Sequence, residues 1–280
     1  MSLRVAITGA RGYLGSTLVR HFRESGCEAA AWQRGAEAGS RYELAGGLES
    51  LDWTGVGAVV HCAYDFRARG WEEIHRVNVE GSLALLREAV SHGARFVFIS
   101  SMSSYEGCHS LYGRAKLDVE KPVLEAGGTV IRPGLIYGDP PGGLFATLCR
   151  AVRALSVLPM IGSGKFPQYL AHHGDLARLV AGVAGGSLAL PARPHSAAHP
   201  RPILFRDLLR EIAALQDRRI AFLPVPWRAI YAAIFCAERA GLGLSFRADS
   251  LIGLVRANPA PAFDLPEGYL FRPFPEGAGT

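Results

Sequence analysis

Val5-Ala6-Ile7-Thr8-Gly9-Ala10-Arg11-Gly12-Tyr13-Leu14-Gly15 opens the 280-residue chain with a short apolar run and three glycines at G-x-x-G-x-x-G spacing. The run reads as a buried strand and Ser16 to Arg23 carries a helical pattern, so the glycines fall in a strand-to-helix turn. Such a turn aims backbone N–H groups at a helix N-terminus, where a pyrophosphate can be held. A Cβ at Gly9, Gly12 or Gly15 would block the tight turn, the ligand or the helix–sheet contact. Three spaced glycines say little in a chain with 33 of them. Their place behind a strand at the very start of the chain is what points to a dinucleotide site.

Strand and helix patterns alternate downstream. Glu28 to Gln33, Ala58 to Ala63, Arg95 to Ser101 and Thr129 to Pro133 read as further strands, Trp71 to His92 reads as helical, and Tyr112 opens another helix. This alternation over the first 138 residues predicts an α/β fold with a Rossmann-type, doubly wound parallel sheet. The pattern changes after Pro140-Pro141-Gly142-Gly143. Helices are expected at Leu144 to Leu155, Gly174 to Gly182, Phe205 to Leu215 and Trp227 to Gly241, with an extended piece at Pro159 to Gly164. The expected organisation is a cofactor domain at residues 1–157 and a smaller, mostly helical substrate cap at 158–280, with a strand near 194–199 returning to the sheet.

Composition limits the function classes. Hydrophobic residues make up 49% and charged residues 20%, as in a globular protein, and the formal charge of +5 is scattered rather than gathered into a nucleic-acid footprint. The five cysteines are widely spaced with no C-x-x-C pair, which fits a reducing cytoplasm and argues against a zinc site. No signal peptide precedes the first strand, and the most apolar stretch, Ala229 to Ala237, is too short to span a bilayer. The expectation is therefore a cytoplasmic protein with a small-molecule substrate, no nucleic-acid partner, no membrane and no metal. His172 and His173 lack a third ligand at suitable spacing, and His195 and His199 lie in a Pro-rich segment.

Arg34 stands nineteen residues beyond Gly15, close to where a dinucleotide fold meets the adenosine ribose, about twenty residues on. An acidic residue there would bind a 2'-hydroxyl; an Arg pairs with a 2'-phosphate through its fork of donors. Arg34, with Arg11 in the glycine turn, therefore favours NADP, with NAD as the alternative. The competing reading makes Arg34 a solvated charge at a strand end.

Tyr112 and Lys116 lie four apart and share a helix face, and Ser101 ends the preceding strand. A phenol ionises near pH ~10, and bringing it to neutrality takes roughly 4 kcal/mol, which a nearby ammonium in a water-poor cleft could supply. Tyr112 could then exchange a proton with a carbonyl or hydroxyl while a nicotinamide exchanges the hydride, with Ser101 holding the same oxygen.

Seven segments together resemble the extended short-chain dehydrogenase/reductase family, often labelled NAD-dependent epimerase/dehydratase. They are Thr8 to Gly15, Val60-His61-Cys62-Ala63, Asn78-Val79-Glu80-Gly81, Ile99-Ser100-Ser101, Tyr112-x-x-x-Lys116, Arg132-Pro133 with Ile136-Tyr137-Gly138, and His172 to Leu176. The resemblance implies a Rossmann-type domain with a small cap, a catalytic set of Ser101, Tyr112 and Lys116 supported by Asn78, and Ala63 and Pro133 beside the nicotinamide. It is also compatible with a homodimer through the helices after Asn78 and at Tyr112.

Three departures narrow the activity. Counting back from Gly107 puts Met102 at the hydroxyl position; aligning the strand Phe96-Val97-Phe98 puts Ser101 there, and a loop absorbs an inserted residue more easily than a buried ladder. Met102-Ser103 stands where sugar-nucleotide dehydratases of this family carry an Asp-Glu pair, which argues against dehydration. Gly162-Ser163-Gly164-Lys165 is followed by Phe166-Pro167-Gln168-Tyr169, without the Arg that clamps a substrate diphosphate. The expected activity is an oxidoreductase acting on a carbonyl or alcohol of a small or apolar molecule. A nucleotide-sugar epimerase or reductase and a non-catalytic dinucleotide-binding protein are the alternatives. Trp227, Ile230, Tyr231, Ile234 and Phe235 form an apolar stripe expected to pack the cap onto the main domain, or else to line an apolar pocket.

Overall fold

The computed structural model describes residues 3–242, 247–258 and 260–275. In chain order these form β1 (Arg4–Thr8), α1 (Tyr13–Glu24), β2 (Glu28–Trp32), β3 (Val56–His61), α2 (Gly70–Ile74), a π-helical segment (His75–Glu80), α3 (Gly81–Ser91), β4 (Arg95–Ile99), α4 (Leu111–Glu125) and β5 (Thr129–Pro133). There follow β6 (Leu135–Tyr137), α5 (Gly143–Ala154), β7 (Val157–Ile161), β8 (Pro167–Gln168), β9 (Leu170–His172), α6 (His173–Gly185), β10 (His195–Ala197), β11 (Ile203–Leu204), α7 (Phe205–Ala214), β12 (Ala221–Val225), α8 (Trp227–Arg239) and α9 (Ala248–Val255).

Six strands make one all-parallel sheet in the order β2-β1-β3-β4-β5-β10. Its strands are buried on both faces, as the near-continuous apolar runs require. Alternation divides each run between two cores. Val5 and Ile7 of β1, Val60 of β3 and Val97 of β4 pack with α1 and α6; Ala6, Val59 and Phe96 pack with α3 and α4 on the opposite face. Strand order reverses between β1 and β3, so a crevice opens at their carboxyl ends, where ligands of such sheets bind.

A third core draws on α5, inside the 1–157 range expected for the cofactor domain, as well as on later elements. Phe145 and Leu148 of α5, Met160 of β7, Leu208 and Ile212 of α7 and Leu251 and Leu254 of α9 cluster there. The chain leaves the main layers after β5 and returns twice, with α6 against β3 and β4 and with β10 on the sheet edge beside β5. Six elements have no counterpart in the sequence expectation: the short strands β6, β8, β9 and β11, β12, which pairs in parallel with β7, and α9. The apolar stripe of α8 also behaves differently from expectation. Trp227, Ile230, Tyr231 and Ile234 pack within the cap's own cluster, Phe235 is 41% exposed, and none of the five lines the cleft. α9 stands between α8 and the main domain, with contacts to α4 on one side and α8 on the other, so the stripe closes the cap upon itself.

Candidate active site

The glycine turn is shaped by contacts that exclude side chains. Gly9 has φ +67°, a left-handed conformation, and a Cβ on it would lie 2.9 Å from the backbone nitrogen of Ala63. A Cβ on Gly15 would lie 2.3 Å from the carbonyl oxygen of Gly9, so the first turn of α1 can close on the loop only with glycine there. Gly12 caps α1 in extended backbone with no side-chain partner for the first amides, which leaves that helix end a cradle of N–H groups.

Behind the turn runs a buried chain of hydrogen bonds that assigns its own protons. Thr8 Oγ1 accepts from the backbone N–H of Cys62 and of Ala63, and therefore donates to His61 Nδ1 at 2.7 Å. His61 Nε2 donates to Ser82 Oγ at 2.8 Å, and the Ser82 hydroxyl donates to the backbone oxygen of Asn78. Burial holds the His61 pKa well below its ordinary value, so the imidazole stays neutral, as this pattern demands. Asn78, in the π-helical segment, accepts from the N–H of Asp65 at 2.6 Å and donates to its carbonyl at 3.2 Å. Asn78 thus ties down the loop after β3 and lies outside the lining of the cleft.

The cleft, with a volume of about 430 Å³, runs from the glycine turn to the cap. Gly9, Gly12, Tyr13, Leu14 and Gly15 line one end, and Ser101, Tyr112, Lys116 and Pro133 line the middle. Ala63, Arg11 and Arg34 lie outside this lining. Ala63 contributes its backbone to the Gly9 contact, and Arg11 reaches to within 3.8 Å of the Cβ position of Gly35, beside Arg34. Arg34 is half-exposed and pairs at 3.3 Å with Asp65, which also binds Arg67 at 2.7 Å. Tyr13 bonds His173 Nδ1 at 3.0 Å, and His172 accepts from Gly174 N–H at the start of α6, so this histidine pair joins the glycine turn to α6.

Tyr112 and Lys116 share the inner face of α4. Ser110 caps the helix through Gly113 N–H, and Arg132 of β5 pairs with the buried Glu120, to which Ser100 also donates. That polar set fixes α4 across β4 and β5, and it uses Ser100 structurally, leaving Ser101 beside Tyr112. Lys116 is 4% exposed, and its Nζ donates to the Ile99 carbonyl at 2.8 Å. Burial brings its pKa down to about 8, with Cys62 and Glu120 acting in the opposite sense. Burial pushes Tyr112 up to about 12, partly offset by the Ser101 hydroxyl. The expected lowering of Tyr112 by Lys116 is therefore absent from this geometry: the ammonium is spent on a carbonyl and desolvation governs the phenol.

The remaining wall comes from residues that no motif singles out. Tyr64 and Phe66 follow β3 and pack their rings on Tyr112, with centroids 4.8 and 5.7 Å away. Asp249 of α9 binds the first amides of α4, accepting from Leu111 at 2.7 Å and Tyr112 at 2.9 Å. An Asp in a stretch with no clear period carries no such signal. Among the described residues no three of His, Cys, Asp or Glu are grouped to hold a metal, and no helix is long and apolar enough to cross a membrane.

Fold and cleft define a Rossmann-type dinucleotide-binding protein. The model of the NAD dependent epimerase/dehydratase family matches residues 5–185, and the chain belongs to that family. It is 34% identical over 175 residues to a ceramide reductase of Caulobacter vibrioides, covering 56% of this chain and 53% of the relative. It is 32% identical over 164 residues to methionine adenosyltransferase 2 subunit beta of Rattus norvegicus, covering 49% and 48%. The chain spans about half the length of these curated relatives. Among solved structures, dTDP-4-dehydrorhamnose reductase of Bacillus anthracis in complex with NADP superposes with a TM-score of 0.67 at 15% identity, over 91% of this chain and 99% of that one. The family points to nicotinamide-dinucleotide-dependent chemistry.

Proposed function

We propose that the chain is an NADP-dependent oxidoreductase that interconverts a carbonyl and its alcohol, with Tyr112 as the proton carrier. The observation that carries this reading is the meeting of Ser101, Tyr112 and Lys116 in one cleft with the glycine turn. A nicotinamide dinucleotide, which Gly9, Gly12 and Gly15 would hold, would supply or accept the hydride at the carbonyl carbon. In the reducing direction Tyr112 would give its phenolic proton to the carbonyl oxygen, and the resulting tyrosinate would be reprotonated by solvent. Burial that pushes the phenol up to about 12 keeps it protonated at neutral pH, the form that proton donation in the reducing direction needs. Ser101, beside the phenol, orients the oxygen, and Lys116 holds the Ile99 carbonyl at the end of β4 behind it. No carboxylate follows Ser101 to assist loss of water, which argues against dehydration. Likeness to a ceramide reductase supports reduction as the direction. The free thiols of the described chain suit a reducing compartment such as the cytoplasm.

Tyr112→Phe is expected to lower turnover about 10³-fold, within the range for loss of a general acid, while NADPH binding stays within about twofold. Retained turnover would remove Tyr112 from its role. Arg11 has no hydrogen-bond or ion-pair partner among the described residues and, with Arg34, suits a 2'-phosphate. The double change Arg11→Ala, Arg34→Ala should then weaken NADPH about tenfold or more relative to NADH in fluorescence titrations. Likeness to a methionine adenosyltransferase beta subunit favours a second reading, a dinucleotide-binding subunit without turnover. Absence of NADPH oxidation with any carbonyl compound, despite tight binding, would select it.

A further inference from the structure

The substrate half of the cleft holds a fixed negative charge. Asp249 lines it from α9, and its two oxygens are taken by the N–H groups of Leu111 and Tyr112, while Ser110 Oγ takes that of Gly113. A free helix N-terminus attracts phosphate, but here the first three amides of α4 already have acceptors, one of them a carboxylate. An incoming anion would have to displace Asp249 or sit against it.

Among the described residues no free cationic side chain on the wall offsets it. Lys116 is the other charged side chain among those that line the cleft, and its Nζ lies buried on the Ile99 carbonyl. Arg247, whose charge is felt at Tyr64, turns its Nε to Glu238 at 3.3 Å and stays outside the lining. Pro167, Gln168 and Tyr169 occupy the wall after the Gly-Ser-Gly-Lys turn, and the Gln168 amide donates to the carbonyls of Pro167 and Leu254. Tyr64, Phe66, Met102, Leu135 and Leu254 supply much of the rest.

We infer that the substrate is an uncharged, predominantly apolar carbonyl or alcohol compound, and that Asp249 is the specificity-determining residue that keeps phosphorylated and nucleotide-linked compounds out. Like charges in a cleft of low polarity repel strongly, and a diphosphate without a cationic partner would lose its hydration for nothing. A neutral apolar molecule meets no such penalty and gains from the aromatic wall.

The inference rests on the oxidoreductase reading, so cofactor binding is measured first. Full-length protein that binds neither NADP⁺ nor NAD⁺ in calorimetry breaks that reading and leaves the charge of the cleft untouched. With cofactor bound, three probes are titrated: a medium-chain 2-alkanone, the same alkanone carrying an ω-carboxylate, and UDP-glucose. The neutral ketone should bind about tenfold or more tightly than its carboxylate, and UDP-glucose should give no heat. Asp249→Asn, which keeps shape and one acceptor, should bring the two ketones to within about threefold. Failure of the neutral ketone to bind, equal binding of ketone and carboxylate by the wild type, or binding of UDP-glucose overturns the inference. So does a cofactor-binding Asp249→Asn protein whose preference is unchanged. The wild-type comparison requires no variant and stands even where Asp249→Asn loses its fold.

Discussion

The glycine-turn end of the cleft is built from main chain, whereas the cap end is built from side chains. At the first, Gly9 and Gly15 approach neighbouring backbone within 3 Å of where a Cβ would sit, and the Thr8–His61–Ser82–Asn78 chain behind them is buried and fully paired. At the second, Tyr64, Phe66, Met102, Gln168 and Asp249 arrive from separate stretches, Phe66 is 53% exposed, and α8 behind α9 has no fully buried residue. The difference separates what must stay fixed from what can vary. A pyrophosphate reads backbone geometry, which tolerates few sequences; a substrate reads side chains, which change without disturbing the sheet.

Lys116 lies where the two ends meet, and it gives the largest effect expected on stability. Its folded pKa of about 8 lies below the ordinary 10.5, so between these values the unfolded chain holds the proton and the folded chain does not. Stability from this group therefore rises with pH across that window, and the burial penalty is in full force below pH about 8. Lys116→Met removes the penalty. The stability of the variant relative to wild type should fall by roughly 3 kcal/mol between pH 8 and 10.5 in urea titrations. A constant difference would show that the charge is not buried as described.

Two glycines three apart sharpen the comparison within the turn itself. Gly15→Ala should cost about 2 kcal/mol or more of unfolding free energy, because its Cβ meets the Gly9 carbonyl. Gly12→Ala, whose Cβ would lie 3.1 Å from the same oxygen, should cost less than about 1 kcal/mol yet weaken NADPH about tenfold. Equal losses of stability would merge the two roles. The smallest effect is expected for Ser82→Ala, which interrupts the chain from His61 to Asn78. About 1 kcal/mol of stability should be lost, with a change of only a few fold in cofactor affinity.

Much of the main sheet was legible because its signals are local. Apolar runs and glycine spacing marked β1, β3, β4 and β5, and the four-residue step from Tyr112 to Lys116 placed both on one face of α4. The π-helical turn at Asn78 was not legible, since it differs from an α-helix by hydrogen-bond partner alone. β12 was missed because Pro224 interrupts its pattern, and α9 because its short length offers barely two turns to read.

The sequence by itself determined the dinucleotide fold and the pairing of a proton carrier with a glycine turn, because those depend on spacing along one strand or helix. Only the tertiary structure decided that Lys116 points to a carbonyl and not to the phenol, that Asn78 acts behind the loop, and that Asp249 closes the amides at the head of α4. Charge and burial at a site are set by groups far apart in the chain. Tyr112 and Asp249 stand 137 positions apart, and nothing in the intervening sequence carries a trace of their contact until the chain folds over the sheet.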